Sequence, residues 1–176
     1  MAGMTAVAPA VAPAGLPADL ADSLFSKLRD TPCKVLQLGV RNGAATEAWS
    51  RYFSHRDTKV LGLDLKLDEA YIGLDDPKIR LCTINVMDCD LPMALATDDR
   101  LEGWKAPYDI ILDDASGDWK EQTIAMLSLH RLLRLKGVYV VKNVKSDKLP
   151  LLADVARGCG LDARTYDDAI LVAAFC

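Results

Sequence analysis

Two hydrophobic rhythms alternate along the chain. Short, largely apolar runs at residues 33–38, 60–63, 79–86, 108–112 and 138–141 are rich in branched residues and too brief for stable helices, so each predicts a strand. Between them lie segments with helical spacing. Residues 17–29 place Leu20, Leu24, Phe25 and Leu28 on one face, and Asp30-Thr31-Pro32 stops that helix. Residues 44–53 predict a second helix. Residues 121–134 predict a third, with Ile124, Leu127, Leu132 and Leu135 apolar and Lys136-Gly137 as its C-cap. Residues 149–159 predict another, ended by Gly160. Two final strands, 162–166 and 169–175, are separated only by Asp167-Asp168, too little chain for a crossover, so they should form an antiparallel hairpin. Continuous apolar strands are buried on both faces. The expectation is therefore an α/β domain: a seven-stranded, mostly parallel sheet with helices on both faces and a C-terminal antiparallel hairpin.

Composition narrows this picture. A chain of 176 residues, 51% apolar, suits one globular domain, set here at residues 17–176, and is not that of a disordered chain. The Ala- and Pro-rich start, residues 1–16, reads as a flexible tail; it lacks the basic start and unbroken apolar stretch of a secretory signal. Its 21 basic and 25 acidic residues give a net charge of −4, without the basic footprint expected of a nucleic-acid binder. No apolar run reaches the length of a membrane span. Five scattered cysteines with no C-x-x-C argue against a disulfide framework or a zinc site, and point to a reducing cytoplasm.

The candidate chemistry sits where strands end. In open α/β sheets, ligands bind beyond the carboxyl ends of the strands. After the first strand comes Gly39-Val40-Arg41-Asn42-Gly43, whose glycines allow either a tight turn or a close approach of ligand to backbone. Asp64, followed by Leu65, closes the second strand about twenty residues on; it suits the hydroxyls of a ribose or a helix N-cap. Asn85-Val86-Met87-Asp88 follows the third strand and suits an adenine edge and face, or a plain loop. Asp113-Asp114-Ala115-Ser116 follows the fourth. Two adjacent acids are costly to bury without a partner, so they face an amino group, a metal, an acceptor hydroxyl or solvent. Together these ends describe a pocket for an adenosine compound. His55 and His130 carry no comparable signal, and Trp49, Trp104 and Trp119 read as packing residues.

The stretches LGVRNGAATEAW, VLGLDL, YDIILDDASGDWKEQ and KGVYVVKNV resemble those of class I S-adenosylmethionine-dependent methyltransferases over nearly all of residues 33–176. More narrowly they resemble the cephalosporin-hydroxylase-like and macrolide-sugar O-methyltransferase group. The resemblance implies a Rossmann-like fold and S-adenosylmethionine (SAM) as cofactor. Gly39, Val40, Arg41 and Gly43 would line its methionine part, Asp64 and Leu65 its ribose, and Asn85 and Val86 its adenine. Asp113 would face the cofactor's amino group or the acceptor. Asp114 and Lys142 would serve the acceptor side as base or charge stabiliser, with a small-molecule hydroxyl as the acceptor.

Three positions depart from the family pattern. Gln37 stands in place of an acid, Gly117 in place of a histidine, and Lys142-Asn143 in place of a Glu-Asp pair. In metal-dependent relatives that pair and the fourth-strand acid would hold a divalent cation. A lysine there removes a ligand and adds a positive charge, so no catalytic magnesium is expected. Asp114 and Lys142, with Asp168 and Lys27, also resemble the Lys-Asp-Lys-Glu set of ribose 2′-O-methyltransferases, which would make RNA an alternative acceptor. A third alternative is a SAM-binding protein without transfer activity. Its open site would be completed by a second copy or another partner.

Overall fold

A computed structural model of the chain describes residues 12–68 and 75–175. Seven strands form one sheet: β1 (Lys34–Leu38), β2 (Lys59–Asp64), β3 (Ile79–Thr83), β4 (Tyr108–Asp113), β5 (Leu133–Val141), β6 (Leu161–Tyr166) and β7 (Ile170–Phe175). Their order across the sheet is β3-β2-β1-β4-β5-β7-β6. The first five run parallel; β7 is antiparallel to both β5 and β6. Among the described residues five α-helices accompany them: α1 (Ala18–Phe25), α2 (Ala44–Tyr52), α3 (Leu91–Thr97), α4 (Trp119–Leu129) and α5 (Leu149–Gly158).

Successive strand residues point to opposite faces, and both faces are dry. Leu36, Leu38, Leu61, Leu63, Ile111 and Tyr139 pack with residues of α3, α4 and α5. Val35, Val60, Ile110, Leu112 and Val140 pack on the other face with Phe25, Trp49 and Phe53. There the Trp49 ring lies edge-on to Phe25 at 5.4 Å and parallel to Phe53 at 5.7 Å, so Trp49 is a packing residue. No helix among the described residues is long and apolar enough to cross a membrane. Four cysteines, Cys33, Cys82, Cys89 and Cys159, are free thiols; Cys176 lies outside the described residues.

Three sequence expectations change. The third predicted helix is α4, and it ends at Leu129 rather than running to residue 134. The His130 ring nitrogen Nδ1 lies 3.1 Å from the carbonyls of Met126 and Leu127, tying off the final turn. The chain then joins β5 early, pairing Leu133 with Tyr108 and holding Asp109 with Arg134 at 3.0 Å. Lys136-Gly137 therefore lies inside a strand, where Lys136 takes φ 66°. Leu135 fits a helical period by coincidence and is 84% exposed.

The second change is α3, unforeseen because only Leu91 and Leu95 of its seven residues are buried. The third concerns the tail. Part of it is packed: Pro13–Gly15 make a 3-10 turn, Ala12 lies partly buried against the core, and Leu16, 4% exposed, joins that core beside α1 and α2. The packed part of the chain thus reaches back at least to Ala12; residues 1–11 lie outside the described residues.

Candidate active site

Strand β1 lies between β2 and β4, and the chain leaves its carboxyl end for one side of the sheet and that of β4 for the other. That reversal opens a crevice at the carboxyl rim. Backbone hydrogen bonds carry the strand ladder into the loops: Gly39 N–H donates to Leu63 O (2.8 Å), Asp114 N–H to Leu38 O (2.9 Å) and Lys142 N–H to Asp113 O (2.9 Å). The loops therefore leave the sheet in register.

Gly39 is where they come closest. Its φ is +81°, and a Cβ there would lie 2.5 Å from Asp114 O and 2.6 Å from Ala115 Cα, so only glycine permits the crossing. From the other side Asp64 Oδ2 accepts the N–H groups of Val40 (2.7 Å) and Arg41 (2.9 Å) and pins the turn to β2. Its second oxygen, Oδ1, accepts Lys66 N–H at 3.4 Å. Gln37, wholly buried, stitches the same turn from beneath: its amide donates to Gly39 O (2.9 Å) and accepts from Thr46 Oγ1 (3.3 Å). The place where the family pattern has an acid is thus taken by an uncharged side chain with partners of its own.

These elements enclose a cavity of about 310 Å³. Gly39, Asp64, Leu65, Asn85, Val86 and Asp113, all singled out from sequence, line it. Asn85 turns its own loop, accepting Met87 N–H at 3.0 Å, and Leu65 stands 66% exposed at the mouth. Glu121 and Gln122, which the sequence reading did not single out, form the wall contributed by α4. The signal was available: they fall in the first turn after the N-cap Asp118, directly downstream of the paired acids.

Val40, Arg41 and Gly43 do not line this cavity. Val40 is buried against Gly62, and Gly43 (φ +74°) is the left-handed N-cap of α2. Arg41 turns to a shallower recess, shared with Gly15, Asp114 and Lys142, on the far side of Gly39. A methionine-lining role thus fits Gly39 by position; the other three shape or flank the turn.

The paired acids have separate surroundings. Asp114 takes Lys142 Nζ on Oδ2 (3.0 Å), and Arg41 (3.4 Å) and the Asn143 amide on Oδ1. Asp113, 2% exposed, has one oxygen on Ala115 N–H (3.2 Å) and the other, Oδ2, buried without a partner. Burial pushes its carboxyl up to about 7, the negative charges of Asp114 and Glu121 add to this, and the Ala115 N–H opposes it. Gln122, 1% exposed, donates to Ser116 O (2.7 Å) and Lys142 O (2.9 Å), clamping the β4 and β5 loops together. Its Oε1 is buried and unpartnered.

Lys27 is not with Lys142. It is exposed in the turn Ser26–Leu28 that precedes β1, at the amino end of the strands, so a four-residue set with Asp114 and Lys142 is not assembled there. The side chain of Asp168 lies outside the described residues. The donor set around Asp114 does not fit a hard divalent cation either: Lys142-Asn143 follows β5, and the carboxylate already holds an ammonium, a guanidinium and an amide.

Sheet order and the reversed final strand give a Rossmann-like fold shared with solved methyltransferase structures. No family model matches the sequence. A curated relative, the 8-demethyl-8-(2-methoxy-α-L-rhamnosyl)-tetracenomycin-C 3′-O-methyltransferase of Streptomyces olivaceus, is 26% identical over 127 residues, covering 68% of this chain and 30% of the relative. Among solved structures, MycE methyltransferase of the mycinamycin biosynthetic pathway, in complex with Mg, S-adenosylhomocysteine (SAH) and mycinamycin VI, superposes with a TM-score of 0.71 at 17% identity. That match covers 90% of this chain and 48% of MycE. DesVI of Streptomyces venezuelae gives 0.61 at 13% identity, covering 90% of this chain and 89% of DesVI. The chain thus spans less than half the length of the curated relative and of MycE.

Proposed function

We propose that the chain is a SAM-dependent O-methyltransferase acting on a hydroxyl of a small natural-product molecule, without a catalytic metal, in the cytoplasm. The observation that carries this is the rim cavity walled by Gly39, Asp64 and Asn85, with a buried, unpartnered carboxylate oxygen of Asp113. Its volume is at the lower end of the usual range for cofactor sites, about 300–1,000 Å³. The similarity to sugar and macrolide methyltransferases supports the substrate class.

In this reading Asp64 Oδ1 takes a ribose hydroxyl, and Asn85 and Val86 meet the adenine. Bound SAM supplies an electrophilic methyl group on a sulfonium, so the protein's main task is alignment of the acceptor. Asp114 is the acceptor-side base: its carboxylate takes the hydroxyl proton. The Lys142 ammonium, 3.0 Å away, stabilises the negative charge that develops on the acceptor oxygen. Lys142 thereby fills electrostatically the place a divalent ion would take. The test is transfer of labelled methyl from SAM to glycosylated natural-product acceptors; Lys142→Met should lower kcat by about 10²–10⁴ with SAM affinity retained. Equal turnover by parent and variant would refute the role.

One observation favours a second reading. Both oxygens of Asp114 are already engaged by protein groups, as in a SAM-binding protein that does not transfer. Saturable SAM binding with no labelled product from any acceptor tried, or from a cell extract, would support it. A partner subunit or further chain completing the acceptor side is compatible with either.

A further inference from the structure

We propose that the open edge of β3 is a docking site for an extended, acidic segment of a partner protein. The segment adds to the sheet as a further strand, places one large apolar side chain in a cavity beside α3, and sets a carboxylate against Arg80. This cavity shares no lining residue with the rim cavity, so the proposal is independent of what the rim holds.

Strand β3 closes one side of the sheet and pairs only with β2. Val60 N–H donates to Lys78 O (2.7 Å) and Ile84 N–H donates to Asp64 O (2.8 Å), so the even-numbered positions carry that ladder. The alternate residues direct their backbone groups to the other side. Leu81 and Thr83 therefore turn N–H and C=O outward, and Ile79 its C=O; the Ile79 N–H is taken by Asp76 O (2.9 Å). None of these outward groups has a protein partner among the described residues. Such a row is a template for another strand, and β3 has neither a proline nor a bulge to block it. Every position of β3 is at least partly exposed, whereas β1, β2 and β4 are mostly buried.

A cavity of about 240 Å³ lies beside this edge. The buried Leu63, Leu91, Leu95 and Leu101 line it, with Arg80 and Thr83 of β3. An added strand directs alternate side chains to this face, and the cavity has room for one large apolar group. Arg80 supplies the charge. Its guanidinium has no carboxylate partner among the described residues; its one contact is the Trp104 ring, 5.5 Å to the centroid. Arg100, on the same cavity, is by contrast held by both oxygens of Asp98 at 2.6–3.0 Å. An acid two residues from the apolar anchor falls on the same face and can pair with Arg80. The matching segment therefore reads apolar, any residue, acid, in extended form.

A second copy of the chain fits this edge poorly. Antiparallel pairing of β3 with itself about Leu81 sets Arg80 opposite Cys82 of the second copy. The two Arg80 side chains then lie diagonally, about 7–8 Å apart, and the strand carries no acid to offset them.

The experiment titrates the isotope-labelled chain with two capped peptides, Ser-Thr-Leu-Thr-Glu-Thr-Ser and the same sequence with lysine for glutamate, followed by amide resonances. The acidic peptide should bind saturably, shift the Leu81 and Thr83 amides and slow their hydrogen exchange; the lysine peptide should bind about tenfold or more weakly. Arg80→Glu should reverse that preference. Thr83→Pro removes an outward donor that the β2–β3 ladder does not use, so it should keep the fold and lose the peptide. Should that variant fail to fold, Arg80→Glu carries the test. No saturable binding of the acidic peptide, shifts confined to other surfaces, or a preference that Arg80→Glu leaves unchanged overturns the proposal. A dimer in sedimentation that Thr83→Pro abolishes assigns the edge to a second copy and overturns it as well.

Discussion

Replacing Gly39 with alanine isolates the contact on which the cleft is built. The new methyl carbon would lie 2.5 Å from Asp114 O, 2.6 Å from Ala115 Cα and 2.7 Å from Ala115 N, where real Cβ atoms essentially never come closer than 3.0 Å. All three neighbours are backbone, so relief requires the β4–α4 turn to move by about half an ångström or more. The residue also sits at φ +81°, which costs a non-glycine about 1–2 kcal/mol. Overpacking adds about 1–3 kcal/mol, for a total of roughly 2–5 kcal/mol. Gly103 provides the control: its φ is +83°, yet a Cβ there meets nothing within 4 Å. Gly103→Ala should therefore lose only the conformational part, about 1–2 kcal/mol. The assay is urea denaturation of both variants with SAH titration of each. Gly39→Ala should be the less stable by about 1–3 kcal/mol, and only it should lose SAH affinity. Equal stabilities, or full SAH affinity in Gly39→Ala, would refute the claim that this crossing shapes the site.

Other outcomes follow from the same geometry. Trp49→Ala should destabilise the fold by about 3–5 kcal/mol in denaturant melts, because it empties the ring stack between Phe25 and Phe53. The Asp113 carboxyl is raised from 3.8 to about 7 in the folded state, so between those values the native chain holds a proton that the unfolded chain has shed. Its contribution to stability therefore falls as pH rises from about 4 to 7, and Asp113→Asn should flatten that part of a stability–pH profile. Methyl transfer should persist in excess chelator, whereas in the Lys142→Glu, Asn143→Asp double variant calorimetry should detect Mg²⁺ binding that the parent lacks.

The parts of the fold governed by dense local pattern were readable in the sequence. Strands β1, β2 and β4 are mostly apolar runs that end at or just before Gly39, Asp64 and Asp113, and both faces bury them, so pattern and structure agree. The 167–168 linker was too short for a crossover, which set the antiparallel hairpin in advance. Where tertiary contact decides, the sequence misled. Leu132 and Leu135 extend the α4 period, but pairing of Leu133 with Tyr108 and of Arg134 with Asp109 draws that segment into β5. At the site, residues marked by strand ends came together in one cavity. Val40, Arg41 and Gly43 share the glycine motif, yet a left-handed turn aims them elsewhere, which no spacing rule encodes. Gln122 was passed over because glutamine in a first helical turn is ordinary; only its two loop tethers and unpaired oxygen distinguish it.

The most direct test of the proposed function is a crystal structure of the chain grown with SAH. Adenosyl density is expected in the cavity between Gly39, Asp64 and Asn85, with the ribose on Asp64 Oδ1 and the amino nitrogen against Asp113. Nucleoside density elsewhere on the chain, or a cavity that stays without it at saturating SAH, would contradict it.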